Sequence, residues 1–134
     1  MRTYVLDASA LLAFIEDKPS AAKVEALLTE AHRGHARLMM SSLNFGEVYA
    51  KILREHGRNQ ALRTMSALNP LPVDLVDATP QRSFHAAEIK TAFKLYYIDS
   101  FAAALAIENK ATLVTSDSDF RKLGHSFPIV WLKN

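Results

Sequence analysis

Cysteine is absent, which excludes disulfides and thiolate metal sites and leaves a reducing compartment compatible with the chain. Glycine occurs only four times, and no glycine-rich run is present that could cradle a phosphate chain. No apolar run approaches a membrane span, and the N-terminus lacks a basic region followed by a long apolar stretch. No repeat, low-complexity tract or Pro/Gly-rich linker divides the 134 residues. These absences predict a soluble cytoplasmic protein with no membrane segment, folded as a single domain over residues 1–134.

What is present is ordinary globular composition, 49% apolar and 22% charged, with a concealed asymmetry. Sixteen Lys and Arg oppose fourteen Asp and Glu. If four or five acids gather in one pocket, the remaining nine or ten face all sixteen bases. An acidic hole in a basic surface suits a polyanionic substrate and a divalent cation.

The stretch Thr3-Tyr4-Val5-Leu6-Asp7-Ala8-Ser9-Ala10-Leu11-Leu12-Ala13-Phe14 opens as an apolar run too short for a helix. Asp7 ends that run, Ser9 is a candidate helix cap, and a segment with helical spacing follows. Further helices are expected from Pro19-Ser20 to His32, Leu43 to His56, Arg58 to Leu68, Thr79-Pro80 to Lys94, and Ser100 to Asn109. Strands are expected at Arg37–Ser41, Leu71–Val76, Ala111–Thr115 and Pro128–Leu132, with a short helix stopping at Gly124 and a loop over Leu95–Ile98. Strands alternating with helices predict a three-layer α/β/α domain around a mostly parallel sheet of about five strands.

Five acids stand out. Asp7 leaves a buried strand, although Asp is also a common turn-former or cap at such joints. Glu47 lies mid-helix with Asn44, Lys51 and Arg54 at helical spacings, and the plain reading is a solvated face with a Glu47–Lys51 pair worth about 0.2–0.5 kcal/mol. Asp99 opens an alanine-rich helix, where an ordinary N-cap would stabilise by roughly 1 kcal/mol. Asp117 and Asp119 follow a buried strand, and either could cap the next short helix. Jointly the case is stronger. Parallel strands release Asp7 and Asp117 at one sheet edge, and neighbouring carboxylates stay ionised only when a cation joins them. Oxygen ligands without Cys or clustered His favour Mg²⁺ or Mn²⁺ over Zn²⁺.

Other constellations are weaker. His32 and His35 flank Gly34 without further ligands nearby. Ser9 lacks a His in triad context. Phosphotransfer at Asp7 would call for a second acid where Ser9 stands, or for the early acidic pair and late Lys of a receiver domain.

The segments Val5-Leu6-Asp7-Ala8-Ser9-Ala10-Leu11-Leu12-Ala13, Ser41-Ser42-Leu43-Asn44-Phe45-Gly46-Glu47-Val48, Asp99-Ser100-Phe101-Ala102-Ala103-Ala104-Leu105-Ala106 and Leu113-Val114-Thr115-Ser116-Asp117-Ser118-Asp119-Phe120 together resemble the PIN-domain nucleases, and most closely the VapC-type toxins of toxin–antitoxin pairs. The resemblance spans essentially the whole chain. It implies a PIN-like fold and a Mg²⁺-dependent endoribonuclease, with Mn²⁺ a possible substitute. By position, Asp7, Glu47, Asp99 and Asp117 match the family's acidic quartet, Asp119 its frequent extra acid, and Ser9 its small hydroxyl residue near the metal. Asp7, Asp99, Asp117 and Asp119 are then the metal ligands, with Asn44 and Ser116 supporting, and Lys51, Arg54 and Arg121 candidates for RNA contacts. Such proteins are typically homodimers restrained by a small antitoxin. The loop Leu95-Tyr96-Tyr97-Ile98 departs from the small Gly/Ser-containing loop usual before the third acid. The alternative is a non-catalytic PIN-like module that binds RNA or protein.

Overall fold

In the computed structural model, residues 1–133 are described, and they form alternating strands and helices. The order is β1 (Arg2–Leu6), α1 (Ala8–Ile15), α2 (Ala21–His32), β2 (Ala36–Ser41), α3 (Ser42–His56) and α4 (Arg58–Leu68). It continues with β3 (Val73–Val76), α5 (Pro80–Phe93), α6 (Tyr97–Glu108), β4 (Thr112–Thr115), a 3₁₀ helix (Ser118–Leu123) and β5 (Ile129–Trp131). The five strands pair in the order β3-β2-β1-β4-β5, and every described pairing is parallel.

Side-chain alternation along the strands explains the three layers, since successive residues point to opposite sheet faces. Val5, Met39 and Leu113 face α5 and α6, packing with Ala86, Ile89, Phe101 and the buried alanines of α6. Leu6, Leu38 and Val114 face the other way, onto Ala10 and Ala13 of α1 and Val24 and Leu28 of α2. Met40 joins that second side through Leu11, Val48, Ile52 and Ala61, which anchor α3 and α4. Ala102, Ala103, Ala104 and Ala106 are all buried, so α6 lies close against the sheet. The expectation of helices on both faces of a parallel sheet holds.

Chain order brings two strand ends together at one edge. From β1 the chain steps to β2 and β3 on one side, then returns across the sheet to β4 and β5 on the other. The carboxyl ends of β1 and β4 therefore sit together where the winding reverses, the place where open α/β sheets accept ligands.

One boundary differs from the sequence reading in a way that matters. Helix α6 begins at Tyr97, so Asp99 lies inside its first turn and is not its N-cap. Tyr96 caps the helix in extended backbone with no side-chain hydrogen bond, and Tyr97 packs edge-on against Phe101 one turn later at 5.0 Å. That i,i+4 aromatic contact supports a start that lacks a polar cap. The expected loop over residues 95–98 thus shrinks to Leu95 and Tyr96, after Lys94 ends α5 in the left-handed conformation (φ 58°).

Among the described residues, no helix is long and apolar enough to cross a membrane.

Candidate active site

Asp7 caps α1 and is almost fully buried, with 4% of its surface exposed. Its Oδ1 accepts from Ala10 N at 3.0 Å and from Ser9 Oγ at 2.6 Å, and its Oδ2 accepts from Thr115 Oγ1 at 2.5 Å. Burial disfavours the charged form and raises its pKa from 3.8 to about 6, against the pull of these hydrogen bonds and with a small push from Asp117. Asp7 is a cap that also stands at the carboxyl end of β1 beside the other acids.

Asp117 N donates to Thr115 Oγ1 at 2.9 Å, and Asp117 Oδ1 accepts from Asp119 N at 2.9 Å as the cap of the 3₁₀ helix. Ser9 Oγ accepts from Ser116 N at 3.0 Å and lies 3.3 Å from Thr115 Oγ1. Two hydroxyls, Ser9 and Thr115, therefore stitch the end of β1 to the end of β4 (hydroxyls suit this because each both donates and accepts). Ser116 takes part through its backbone N–H.

Carboxylate oxygens of Asp99, Asp117 and Asp119 all lie within 4.8 Å of one another, each residue partly buried. Asp99 bears the strongest mark of this crowding. Its pKa rises to about 7, first through burial and then through repulsion by Asp117, Glu47, Asp7 and Asp119. Glu47 is also shifted upward, by burial and by Asp117, while its hydrogen bond from Asn44 opposes the shift. All five acids foreseen from the sequence thus share one electrostatic neighbourhood. The tightest grouping is Asp99, Asp117 and Asp119, with Asp7 beside it, held by its own hydrogen bonds.

The polar face drawn for α3 needs correction. Asn44 is fully buried, because α3 leans against α6 at that point. Its Nδ2 donates to Glu47 Oε1 at 3.2 Å and to the Ile98 carbonyl at 3.3 Å, tying α3 to the first turn of α6 beside Asp99. Lys51 does not pair with Glu47. Its Nζ lies 2.9 Å from Glu16 Oε1 and 3.8 Å from Glu55 Oε1, so no lysine is drawn against Glu47. Arg54 is exposed, and the Arg121 guanidinium sits 5.6 Å above the Trp131 ring.

Thr115 is the member that the sequence reading passed over. The available signal was a hydroxyl residue closing a buried strand two positions before Asp117. Among the described residues no Lys, Arg or His lies within ion-pair distance of Asp7, Glu47, Asp99, Asp117 or Asp119. An all-oxygen, net-negative cluster without a protein counter-ion fits a hard divalent cation. The arrangement can therefore hold such an ion at the winding-reversal edge.

Fold and edge together define a parallel α/β domain with a carboxylate cluster at the β1–β4 junction. A family model described as the PIN domain matches residues 4–126, and the chain belongs to that family. No curated protein sequence matches it significantly. Among solved structures, VapBC2 from Rickettsia felis bound to a promoter DNA fragment is similar at a TM-score of 0.75 and 18% identity, covering 98% of this chain and 99% of that one. DNA-bound VapBC from Salmonella typhimurium gives 0.76 and 17%, covering 97% and 98%. VapC20 from Mycobacterium tuberculosis, a toxin that cleaves the sarcin–ricin loop, gives 0.73 and 17%, covering 90% and 95%. At these identities the likeness is one of fold.

Proposed function

We propose that this protein is a Mg²⁺-dependent endoribonuclease, the toxin of a toxin–antitoxin pair. The observation that carries this is the meeting of Asp99, Asp117 and Asp119 within 4.8 Å at the edge that also holds Asp7 and Glu47. The PIN family model and the fold likeness to VapC toxins support it.

Asp99, Asp117 and Asp119 would hold Mg²⁺, or Mn²⁺ in its place, with Asp7 as a further ligand. When bound, the ion lowers the pKa of water and neutralises charge on the scissile phosphate. Ser9 and Thr115 keep the Asp7 carboxylate in one orientation, so the acids are placed before substrate arrives. Glu47 offers Oε2 as the general base for the attacking water, since Oε1 is engaged by Asn44. Attack by water, not by a ribose 2′-hydroxyl, yields 5′-phosphate and 3′-hydroxyl ends. Arg54 and Arg121, both exposed, remain candidates for phosphate contacts, whereas Lys51 is first of all a partner of Glu16.

A small cognate antitoxin belongs to the same proposal, supported by the VapBC complexes among the structural relatives, and a homodimeric state and a cytoplasmic location are proposed with it. The deciding experiment is RNA cleavage with Mg²⁺ by the parent protein, Asp7→Asn and Asp99→Asn, with the product ends mapped. Loss of cleavage in both variants and 5′-phosphate products are expected; undiminished activity in Asp99→Asn overturns the assignment.

A further inference from the structure

Beside the acid cluster runs a groove of about 650 Å³ whose walls carry Lys90, Lys94, Tyr96, Lys122 and Asp119. Asp119 also belongs to the carboxylate triad, so groove and cluster share a wall. Three ammonium groups against one carboxylate make this the reverse of the neighbouring site in charge. None of the three lysines enters an ion pair among the described residues, whereas Arg37, Lys51 and Arg82 all do. Lys122 Nζ donates to the Lys94 carbonyl at 3.2 Å, which holds it along the link between α5 and α6. Like charges gathered this way repel one another unless a polyanion crosses them.

Tyr96 supplies the second observation. Its side chain stands on the two-residue link with 74% of the residue exposed, and it makes no ring contact or side-chain hydrogen bond among the described residues. Its backbone is fixed by contrast, since the Tyr96 carbonyl accepts from both Ser100 N at 3.0 Å and Ser100 Oγ at 2.9 Å. A large aromatic face is thus held out on a fixed backbone without a packing partner among the described residues. Beside a basic track it offers a stacking platform, and only an unpaired base can lie flat on it.

We infer that this groove is the path of single-stranded RNA leaving the acid cluster, with Lys90, Lys94 and Lys122 on successive phosphates and one unpaired base stacked on Tyr96. The inference rests on the nuclease reading and deepens it by naming the side chains of this chain that would carry the strand. The left-handed Lys94 and the extended Tyr96 place the platform two residues after one of the three charges, with Lys90 on α5 and Lys122 on the 3₁₀ helix completing the groove.

The test is fluorescence anisotropy of a short labelled oligoribonucleotide, free and annealed to its complement, with the full chain in EDTA so that no turnover occurs. Tyr96→Ala should weaken binding of the single strand roughly tenfold, and Tyr96→Phe, which keeps the ring, should bind like the parent. Replacing Lys90, Lys94 and Lys122 together by Ala should reduce the slope of log K against log salt by about 2. Arg63→Ala, on exposed α4 away from the groove, should change neither quantity. Parent-like binding by both Tyr96→Ala and the triple variant, equal affinity for duplex, or no RNA binding by the parent would each overturn the inference. The last of these would point to a protein on this surface. Because the assay excludes turnover, an inactive parent that binds RNA through Tyr96 removes the nuclease reading alone. Active enzyme with an unchanged KM in Tyr96→Ala removes the groove alone.

Discussion

Thr115, wholly buried at the end of β4, donates its hydroxyl proton to Asp7 Oδ2 across the seam between β4 and β1. Thr115 Oγ1 also accepts from Asp117 N at 2.9 Å, so one side chain sets the position of two acids. Thr115→Val keeps the shape and removes both bonds. The buried Asp7 carboxylate and the Asp117 amide then lose a partner each, at about 1–3 kcal/mol per group. Thermal unfolding should show that loss. Cleavage should weaken, and its pH optimum should move upward, because a hydrogen bond that lowers the Asp7 pKa has gone.

The raised carboxyls give stability a pH dependence of definite sign. A carboxyl with a higher pKa folded than unfolded binds its proton more tightly in the native state. The resulting stability is complete below the ordinary value of 3.8 and is lost as pH rises through about 6 for Asp7 and about 7 for Asp99. For Asp7 the full span amounts to roughly 3 kcal/mol. The Tm of the protein in EDTA should therefore fall between about pH 5 and about pH 8. A Tm that climbs across this interval would contradict the crowded-acid geometry.

Divalent metal should reverse that trend, since a cation among the acids stabilises their charged forms. At about pH 7.5, saturating Mg²⁺ or Mn²⁺ should raise Tm, by an amount equivalent to about 2.7 kcal/mol at a hundredfold excess over Kd. Asp99→Asn should erase this shift. It should also raise the Tm of the metal-free protein, because Asp99 is repelled by Asp117, Glu47, Asp7 and Asp119. A variant more stable without metal and blind to metal separates a ligand from a mere structural acid.

The fold and the acids were legible for one reason. Strand ends are local events, and Asp7 and Asp117 each follow an apolar run that only a buried strand explains. Asp99 was found but misplaced, because Tyr97 and Ile98 carry no capping signal and the helix start is supported by Tyr97 packing against Phe101. What escaped depends on distance in the chain. Asn44 reaches Ile98, Lys51 reaches Glu16 and Thr115 reaches Asp7, and no helical or strand period links these pairs. Asn44 on α3 looked polar and therefore solvated, until α6 covered it.

Lys51 illustrates the cost of reading charges from helical spacing alone. Its ammonium lies against both oxygens of Glu16 at 2.9 and 3.1 Å, half-buried between α3 and the end of α1. Lys51→Met should lower stability by about 1 kcal/mol, since Glu16 keeps its charge without a partner. The KM for RNA should stay within about twofold of the parent, a change below 0.5 kcal/mol. A large rise in KM would show that Lys51 leaves Glu16 for the substrate.

Asn44 carries the last prediction, and the most diagnostic one for Glu47. Its Nδ2 joins Glu47 Oε1 to the Ile98 carbonyl, so the proposed general base is referenced to the helix that bears Asp99. Its Oδ1 is buried and has no hydrogen-bond partner among the described residues, an arrangement that costs free energy in the folded protein. A buried amide retained at that cost is explained by its two donor bonds. Asn44→Ala frees Glu47 and removes the tie to the Ile98 carbonyl, which keeps its place in the α6 ladder, so stability should fall by about 1 kcal/mol. Catalysis should then separate into its parts. With Asp99, Asp117 and Asp119 untouched, the metal-induced rise in Tm should persist. The drop should lie in kcat and not in KM, as expected when a base is mispositioned in the transition state. Asn44→Asp tests the same point with opposite electrostatics, because a carboxylate cannot donate to Glu47 and repels it. Both variants should therefore lose kcat, Asn44→Asp the more. Unchanged kcat in both would mean that Glu47 works without its tether, or does not act as the base.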